Sequence, residues 1–480
     1  MTAILAAALM AAAAKPNIVY IMCDDMGFGE LGCYGQEKIP TPNIDRLASQ
    51  GVKMTRFYTA SPVCAPTRCS LLTGKHQGHA AIRGNVEKGG FGPTDPEGQM
   101  DLPKTETTIA EVLHRGGYRT GLVGKWGLGG PNPEGHPLSH GFDLFYGYIC
   151  QRRAHNYYPP YLWSNYQVDL LPGNPVFSAH QKIAAPLESE EEYRRRYAGQ
   201  TYAPAKMTEH CLQFIKESKG KPFFLYYAPT IPHVALQAPQ EWIDKFPRSW
   251  DPKPYLGDQG YLPSARPRAT YAAMIAFLDD SVGQIMASLD KLGLADNTLI
   301  VFTSDNGATF NGGMDREFFR SNGDLRDGKM SVYDGGIREP FVARWPGHIQ
   351  PGSTTDHFAV AYDSFATLCD AAGLAAPKTD GTSYLPSLTG RKQAARGWMY
   401  FEYPEAAVQQ AVFLRERWKV VRPDLTKKAN VTELYDIVAD PSEKHELAAQ
   451  HPDIVAEGLR LMAAQHVPNK DFPLGKVDKP

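Results

Sequence analysis

The chain has 480 residues, 42% of them apolar and 21% charged, with a formal net charge of −2. Such a chain can bury a large core, and its balanced charge argues against a general nucleic-acid-binding surface. Its seven cysteines, none in a C-x-x-C pair, exclude a disulfide scaffold and a zinc-ribbon site, leaving room for one or two disulfides. Met1 to Ala14 is a run of alanine and leucine ending in small residues, the pattern of a secretory signal peptide without its usual basic start. It points to a periplasmic or secreted protein. No later run holds 18 uninterrupted apolar residues, so no membrane span is expected.

Asn17 to Cys23 is a nearly continuous apolar run, as in a strand covered on both faces, and it ends in Asp24-Asp25. Open α/β sheets bind ligands beyond the carboxyl ends of their strands. Adjacent carboxylates there are either solvated in a turn or neutralised by a cation. Thr41 to Ala48 opens a helix, with Thr41 or Asn43 as cap and Leu47 inward. Val52 to Tyr58 reads as a strand leading to Ser61-Pro62-Val63-Cys64-Ala65-Pro66-Thr67-Arg68, followed after two residues by Leu71-Leu72-Thr73-Gly74. Cys64 stands at a helix start and Arg68 on the same face, so backbone N–H groups and a guanidinium would favour an anion or thiolate at position 64. An isolated C-x-P-x-R more often marks a half-buried cysteine beside a structural arginine.

Ile109 to Arg115 is a short helix stopped by Gly116-Gly117, and Tyr118 to Val123 a strand leading to Gly124-Lys125-Trp126-Gly127. From Gly129 to about Arg196 the chain is rich in Pro, Gly, Tyr and Trp and shows little periodicity. His136, His140, His155 and Asn156-Tyr157-Tyr158-Pro159-Pro160 lie there, either a sugar-facing wall or ordinary packing; Glu188 to Arg196 reads as a solvated helix face. Met207 to Lys216 is a helix, and Pro222 to Tyr227 a strand leading to His233. Ala269 to Leu292 has the period of a helix backing the sheet. Thr298 to Thr303 is a strand ending at Asp305-Asn306, a second oxygen-rich strand end. Lys329 follows, then a strand at Phe341 to Trp345 and a helix at Asp363 to Ala372. Short strands at Trp398–Glu402, Val408–Arg415, Trp418–Val421 and Leu434-Tyr435, then a helix at Pro452–His466, form a smaller unit. The expected architecture is α/β, a mixed sheet sandwiched by helices in residues 15–385, with an antiparallel-sheet α+β subdomain in 386–480.

The Ser61–Gly74 string resembles the signature of type I sulfatases, and Gly117-Tyr118-Arg119-Thr120 with Gly124-Lys125-Trp126 resembles their second motif. The resemblance runs from about Pro16 to Trp345. It implies an alkaline-phosphatase-like fold and a Cys64 oxidised to formylglycine by a maturation enzyme. It also implies one Ca²⁺ held by Asp24, Asp25, Asp305, Asn306 and the modified Cys64. Arg68, Lys125, His233 and Lys329 would surround the sulfate. One hydroxyl of the hydrated aldehyde would attack sulfur, and loss of a proton from the other would expel sulfate.

The family's histidine two residues after the motif lysine is Gly127 here. Its role would pass to His155, His136 or His140, with His155 favoured and both His136 and His155 candidate sugar ligands, or else to Lys125 or water. Likeness to carbohydrate sulfatases around Gly124–Gly130 and His79–Asn85 implies a sulfated saccharide, with galactose-type sugars favoured. A phosphate or phosphonate monoester hydrolase, or a silent carbohydrate-binding protein, are the alternatives.

Overall fold

The computed structural model describes residues 15–478, so the signal-peptide reading of Met1–Ala14 lies outside the described residues. Eleven strands form the main sheet: β1 (Asn17–Cys23), β2 (Val52–Tyr58), β3 (Arg119–Lys125), β4 (Leu144–Tyr148), β5 (Tyr161–Ser164), β6 (Gln167–Leu170), β7 (Phe223–Ala228), β8 (Thr298–Ser304), β9 (Arg338–Arg344), β10 (Ser353–Thr355) and β11 (Ala359–Val360). Their order is β10-β2-β9-β8-β1-β7-β3-β4-β5-β6, with β11 also on β2. The run β8-β1-β7-β3-β4 is parallel, and β9 is antiparallel to both β2 and β8.

The uninterrupted apolar runs of β1, β7 and β8 are buried at every position, as expected for strands covered on both faces. Alternate residues of β1 feed two cores, Ile18, Tyr20 and Met22 on one face and Val19, Ile21 and Cys23 on the other. Register does the positioning. Cys23 pairs with Ser304, so Asp24-Asp25 and Asp305-Asn306 emerge side by side at the same end of the sheet.

The helix Pro267–Leu292 is, among the described residues, the one helix long and apolar enough to cross a bilayer, and most of that stretch is buried inside the protein. Its Asp279 carboxylate accepts the N–H groups of Asn43 and Ile44 and thereby caps α1 (Pro42–Ser49) from outside. Neither Thr41 nor Asn43 caps that helix with its own side chain; Thr41 Oγ1 accepts from Gly32 N instead. The segment from Gly129 to Arg196 is more regular than its composition predicts. It supplies β4, then the β5–β6 hairpin at the sheet edge, then a helix Glu190–Tyr197 capped by Ser189.

The C-terminal unit is the expected antiparallel meander, β12 (Trp398–Tyr403), β13 (Gln409–Leu414), β14 (Trp418–Arg422) and β15 (Glu433–Asp436), with the helix Pro452–Gln465 on one face. Its other face joins the main core, where Phe413 and Phe401 pack on Tyr58. Lys419, fully buried, bonds Asp334 at 2.8 Å across that seam and pairs with Glu443 of its own unit at 2.7 Å. His76, His79 and Asp380 cluster nearby. Nδ1 of His76 accepts the N–H of Gly78, so in the neutral ring Nε2 carries the proton and donates to Gln465 Oε1. Burial pushes the His76 pKa down to about 4, which keeps that ring neutral, and Asp380 accepts the His76 backbone N–H and bonds His79 Nδ1. All seven cysteines are free, and the disulfides their number allows are not formed.

Candidate active site

Helix α2 (Cys64–Thr73) begins at Cys64, after an extended Val63. It is buried along its whole length, so Cys64 is held at its N-terminus with little freedom. Cys64 Sγ lies 3.2 Å from Asp24 Oδ1 and 3.9 Å from Asp25 Oδ1, at the end of β1. Asp25 takes a left-handed backbone (φ 64°), turning the second carboxylate of the pair into the same space as the first. Lys329 Nζ bonds both oxygens of Asp25, at 2.6 and 2.8 Å, and stands 3.6 Å from Cys64 Sγ. Lys125, the last residue of β3, donates to Asp24 Oδ2 at 2.7 Å.

From the end of β8, Asn306 Nδ2 donates to Asp25 Oδ1 at 2.7 Å, while Asn306 Oδ1 is buried without a partner. Arg68 donates through Nε and Nη2 to Asp305 Oδ2, at 3.1 and 2.7 Å, and through Nη1 to the Lys125 carbonyl at 3.0 Å. The guanidinium is fully buried. Arg68 therefore orients Asp305 and Lys125 from behind.

Burial alone would raise the pKa of Asp24, but Lys125, His233 and Arg68 outweigh it and hold the carboxyl well below the usual range. Asp305, buried beside Asp24, is pushed up to about 7 despite Arg68. Burial and Asp24 also push the Cys64 thiol well above its ordinary value, so an unmodified Cys64 presents no thiolate.

Cys64, Lys125, His233, Lys329 and His155 line one pocket. His155 and His233 stack with centroids 4.6 Å apart and planes within 4°. His155 Nδ1 lies 3.0 Å from His180 Nε2, and Tyr261 packs edge-on against His155 and His233 and at a tilt against His180. Burial lowers the pKa of each imidazole, to about 4 for His233 and His180 and well below the ordinary value for His155. His233 Nε2 is 3.6 Å from Asp25 Oδ2.

His136 and His140 do not join this group. His136 Nε2 bonds the Asn165 carbonyl at 2.9 Å, its Nδ1 accepts from Leu138 N, and its ring stacks on Tyr166. His140 Nε2 bonds the Glu134 carbonyl and its ring packs on Trp126. Both histidines serve the structure of their own loop. Gly127 has φ +71°, and a Cβ there would sit 3.0 Å from Gln151 Cγ, so the missing histidine could not be restored without strain.

His180, Tyr261, Gln151, Tyr403 and Glu405 are site residues that the sequence reading did not anticipate. No motif marks them. Tyr403 and Glu405 come from the C-terminal unit, brought to the pocket by tertiary packing alone.

Residues 16–374 match the Sulfatase family, and residues 326–461 match the N-sulphoglucosamine sulphohydrolase C-terminal family. The chain is 33% identical over 393 residues to N-acetylgalactosamine-6-sulfatase of Homo sapiens, covering 80% of this chain and 68% of that one. It is 31% identical over 509 residues to N-acetylgalactosamine-6-O-sulfatase of Bacteroides thetaiotaomicron, covering 93% and 92%. A protein crystallised with a neocarrahexaose superposes with a TM-score of 0.75 at 26% identity, over 94% of this chain and 92% of that one. With the buried Asp24–Asp25–Cys64–His233 cluster in place at the sheet end, this chain belongs to the formylglycine-dependent sulfatases, in the carbohydrate and aryl sulfatase branch of the alkaline-phosphatase-like superfamily, and is a sulfuric ester hydrolase.

Proposed function

We propose that the chain removes sulfate from a sulfated saccharide, with galactose-type sugars the favoured substrates. The observation that carries the reading is the placement of Cys64, at a helix N-terminus and within 4 Å of Asp24, Asp25 and Lys329. The names of the N-acetylgalactosamine-6-sulfatases support the galactose-type preference. Position 64 would act as formylglycine, made by a maturation enzyme, whose hydrated aldehyde supplies an oxygen nucleophile that a buried thiol cannot.

Asp24, Asp25, Asp305 and Asn306 fit a single Ca²⁺. They are hard oxygen donors, and the orphaned Asn306 Oδ1 points to a cation it would bind. Bound there, the ion would supply positive charge for the sulfate oxygens. In the protein itself the three carboxylates are balanced by Arg68, Lys125 and Lys329. A divalent ion therefore leaves the site cationic, as an anionic ester requires.

Lys125, Lys329 and His233 would orient the ester and hold developing negative charge, and Arg68 would keep Asp305 and Lys125 in position. His155, neutral and stacked on His233, is the proposed proton acceptor in place of the residue absent at Gly127, with His180 orienting its ring. Catalysis would reside in residues 15–385, with 386–480 completing the pocket, in a protein exported to the periplasm or beyond. Sulfate release from a panel of defined monosulfated saccharides tests the substrate class. Turnover confined to sugars outside the galactose series would overturn that preference.

A further inference from the structure

Buried polar atoms without a hydrogen-bond partner line the pocket, among them Tyr403 Oη, Gln151 Oε1 and Arg152 Nε. Tyr403 is fully buried and its Oη has no hydrogen-bond partner. Gln151 is 2% exposed and its Oε1 has none either. Glu405 Oε1 accepts the Asn85 N–H at 2.9 Å, and its carboxyl lies beside the Tyr403 hydroxyl. Buried polar atoms without partners are rare and costly in folded proteins, so groups of this kind lining one cavity are those a ligand would satisfy.

Glu405 is held firmly. It lies against the backbone of Gly84-Asn85, where a Cβ on Gly84 would stand 2.9 Å from its Oε1. Asn85 in turn accepts the N–H of Ala65, the neighbour of Cys64. The carboxylate is thus tied through one residue to the helix end that carries the nucleophile. Arg152, the guanidinium lining the same pocket, lies 3.6 Å from Glu87 and is partly neutralised by it.

We infer that Gln151, Tyr403 and Glu405 form the subsite for the leaving alcohol, reading the free hydroxyls of a neutral, monosulfated sugar ring. This deepens the sulfate-ester reading and rests on it. Gln151 Oε1 and the Glu405 carboxylate accept from hydroxyls, and Tyr403 Oη can donate to one. A sugar ring offers hydroxyls that meet both demands, and an aryl leaving group offers none. The Glu405 carboxylate would disfavour a uronate or a second sulfate on the same ring through like-charge repulsion. Burial, against the Asn85 N–H and the neighbouring Tyr403 hydroxyl, pushes its pKa up to about 7, so the repulsion grows as the pH rises through that value.

The test compares kcat/KM for 4-nitrophenyl sulfate, galactose 6-sulfate, galactose 4-sulfate and N-acetylgalactosamine 6-sulfate in the wild type, Tyr403→Phe and Glu405→Gln. Aryl sulfate turnover by each variant reports that it has folded and matured. Each substitution should lower kcat/KM for the preferred sugar about ten- to hundred-fold more than for the aryl sulfate, because a site built to hydrogen-bond hydroxyls loses its discrimination when a partner is removed. Equal losses on sugar and aryl substrates, or none on either, would overturn the inference. A mature wild type that releases sulfate from no substrate would instead overturn the sulfatase reading, and this inference with it.

Discussion

The imidazole of His155 lies flat on that of His233, centroids 4.6 Å apart, and its Nδ1 meets His180 Nε2 at 3.0 Å. One face of His155 is thereby fixed and one nitrogen oriented, the arrangement a proton-transfer group needs. His155→Ala should lower kcat on 4-nitrophenyl sulfate by about 100-fold or more, the range for losing a positioned acid or base. His136→Ala and His140→Ala should keep turnover near that of the wild type, since their rings serve loop carbonyls. A His155 variant with near-normal kcat would remove this residue from the mechanism.

Gly127 is constrained by its backbone. A side chain at φ +71° is strained, and its Cβ would press on Gln151. Gly127→Ala should lower stability by about 1 kcal/mol or more in urea unfolding. Gly127→His, despite supplying the residue usual in the family, should not raise activity.

Arg68 and Asp305 form a fully buried pair at 2.7 Å. Removing one partner leaves the other charge uncompensated, so Arg68→Ala should cost about 3–5 kcal/mol. Arg68→Lys cannot reproduce contacts to both Asp305 and the Lys125 carbonyl, and should also lose activity. Thermal unfolding with parallel turnover assays separates the two effects.

Prolonged chelation with EGTA should abolish sulfate release and lower the unfolding midpoint, because an ion bound only by the folded state stabilises it by mass action. Added Ca²⁺ should restore both. Asn306→Ala should raise the Ca²⁺ concentration needed for half-recovery.

His466 bonds Glu402 through Nδ1 at 2.8 Å and Asp478 through Nε2 at 2.6 Å, fastening the C-terminal segment. Burial works against its charge, but the two carboxylates outweigh it and raise its pKa. The folded value thus exceeds the unfolded one. The stabilisation is fully present below the ordinary histidine value of about 6.5 and fades as pH climbs through the raised value. The difference in unfolding midpoint between wild type and His466→Gln should be larger at pH 5.5 than at pH 8.5.

Much of the sheet is legible in the sequence because its central strands are short apolar runs ended by glycine or oxygen-bearing residues. The strands β1 and β2 and the helix Ile109–Arg115 fall at their predicted bounds. The edge is less legible. Leu144–Tyr148 mixes aromatics with Gly147 and shows no alternation, and the β5–β6 hairpin is too short to stand out from a loop. The buried Asp24–Asp25–Cys64–His233 cluster could be read because its members sit in motifs, Asp24 and Asp25 at a strand end. The pocket's remaining lining could not, since Tyr403 and Glu405 come to Cys64 only through folding across more than three hundred residues of chain. The α1 cap shows the same limit, because its carboxylate, Asp279, lies 235 residues beyond Ile44.

The most direct test is sulfate release by protein co-expressed with a formylglycine-generating enzyme, with matched aryl sulfate and aryl phosphate esters and a Cys64→Ala control. Mass spectrometry of the peptide holding position 64 confirms maturation in the same sample. The predicted result is an aldehyde at position 64, sulfate turnover lost in Cys64→Ala, and a clear preference for sulfate over phosphate. A matured protein that cleaves the phosphate faster, or a Cys64→Ala variant as active as the wild type, would contradict the account.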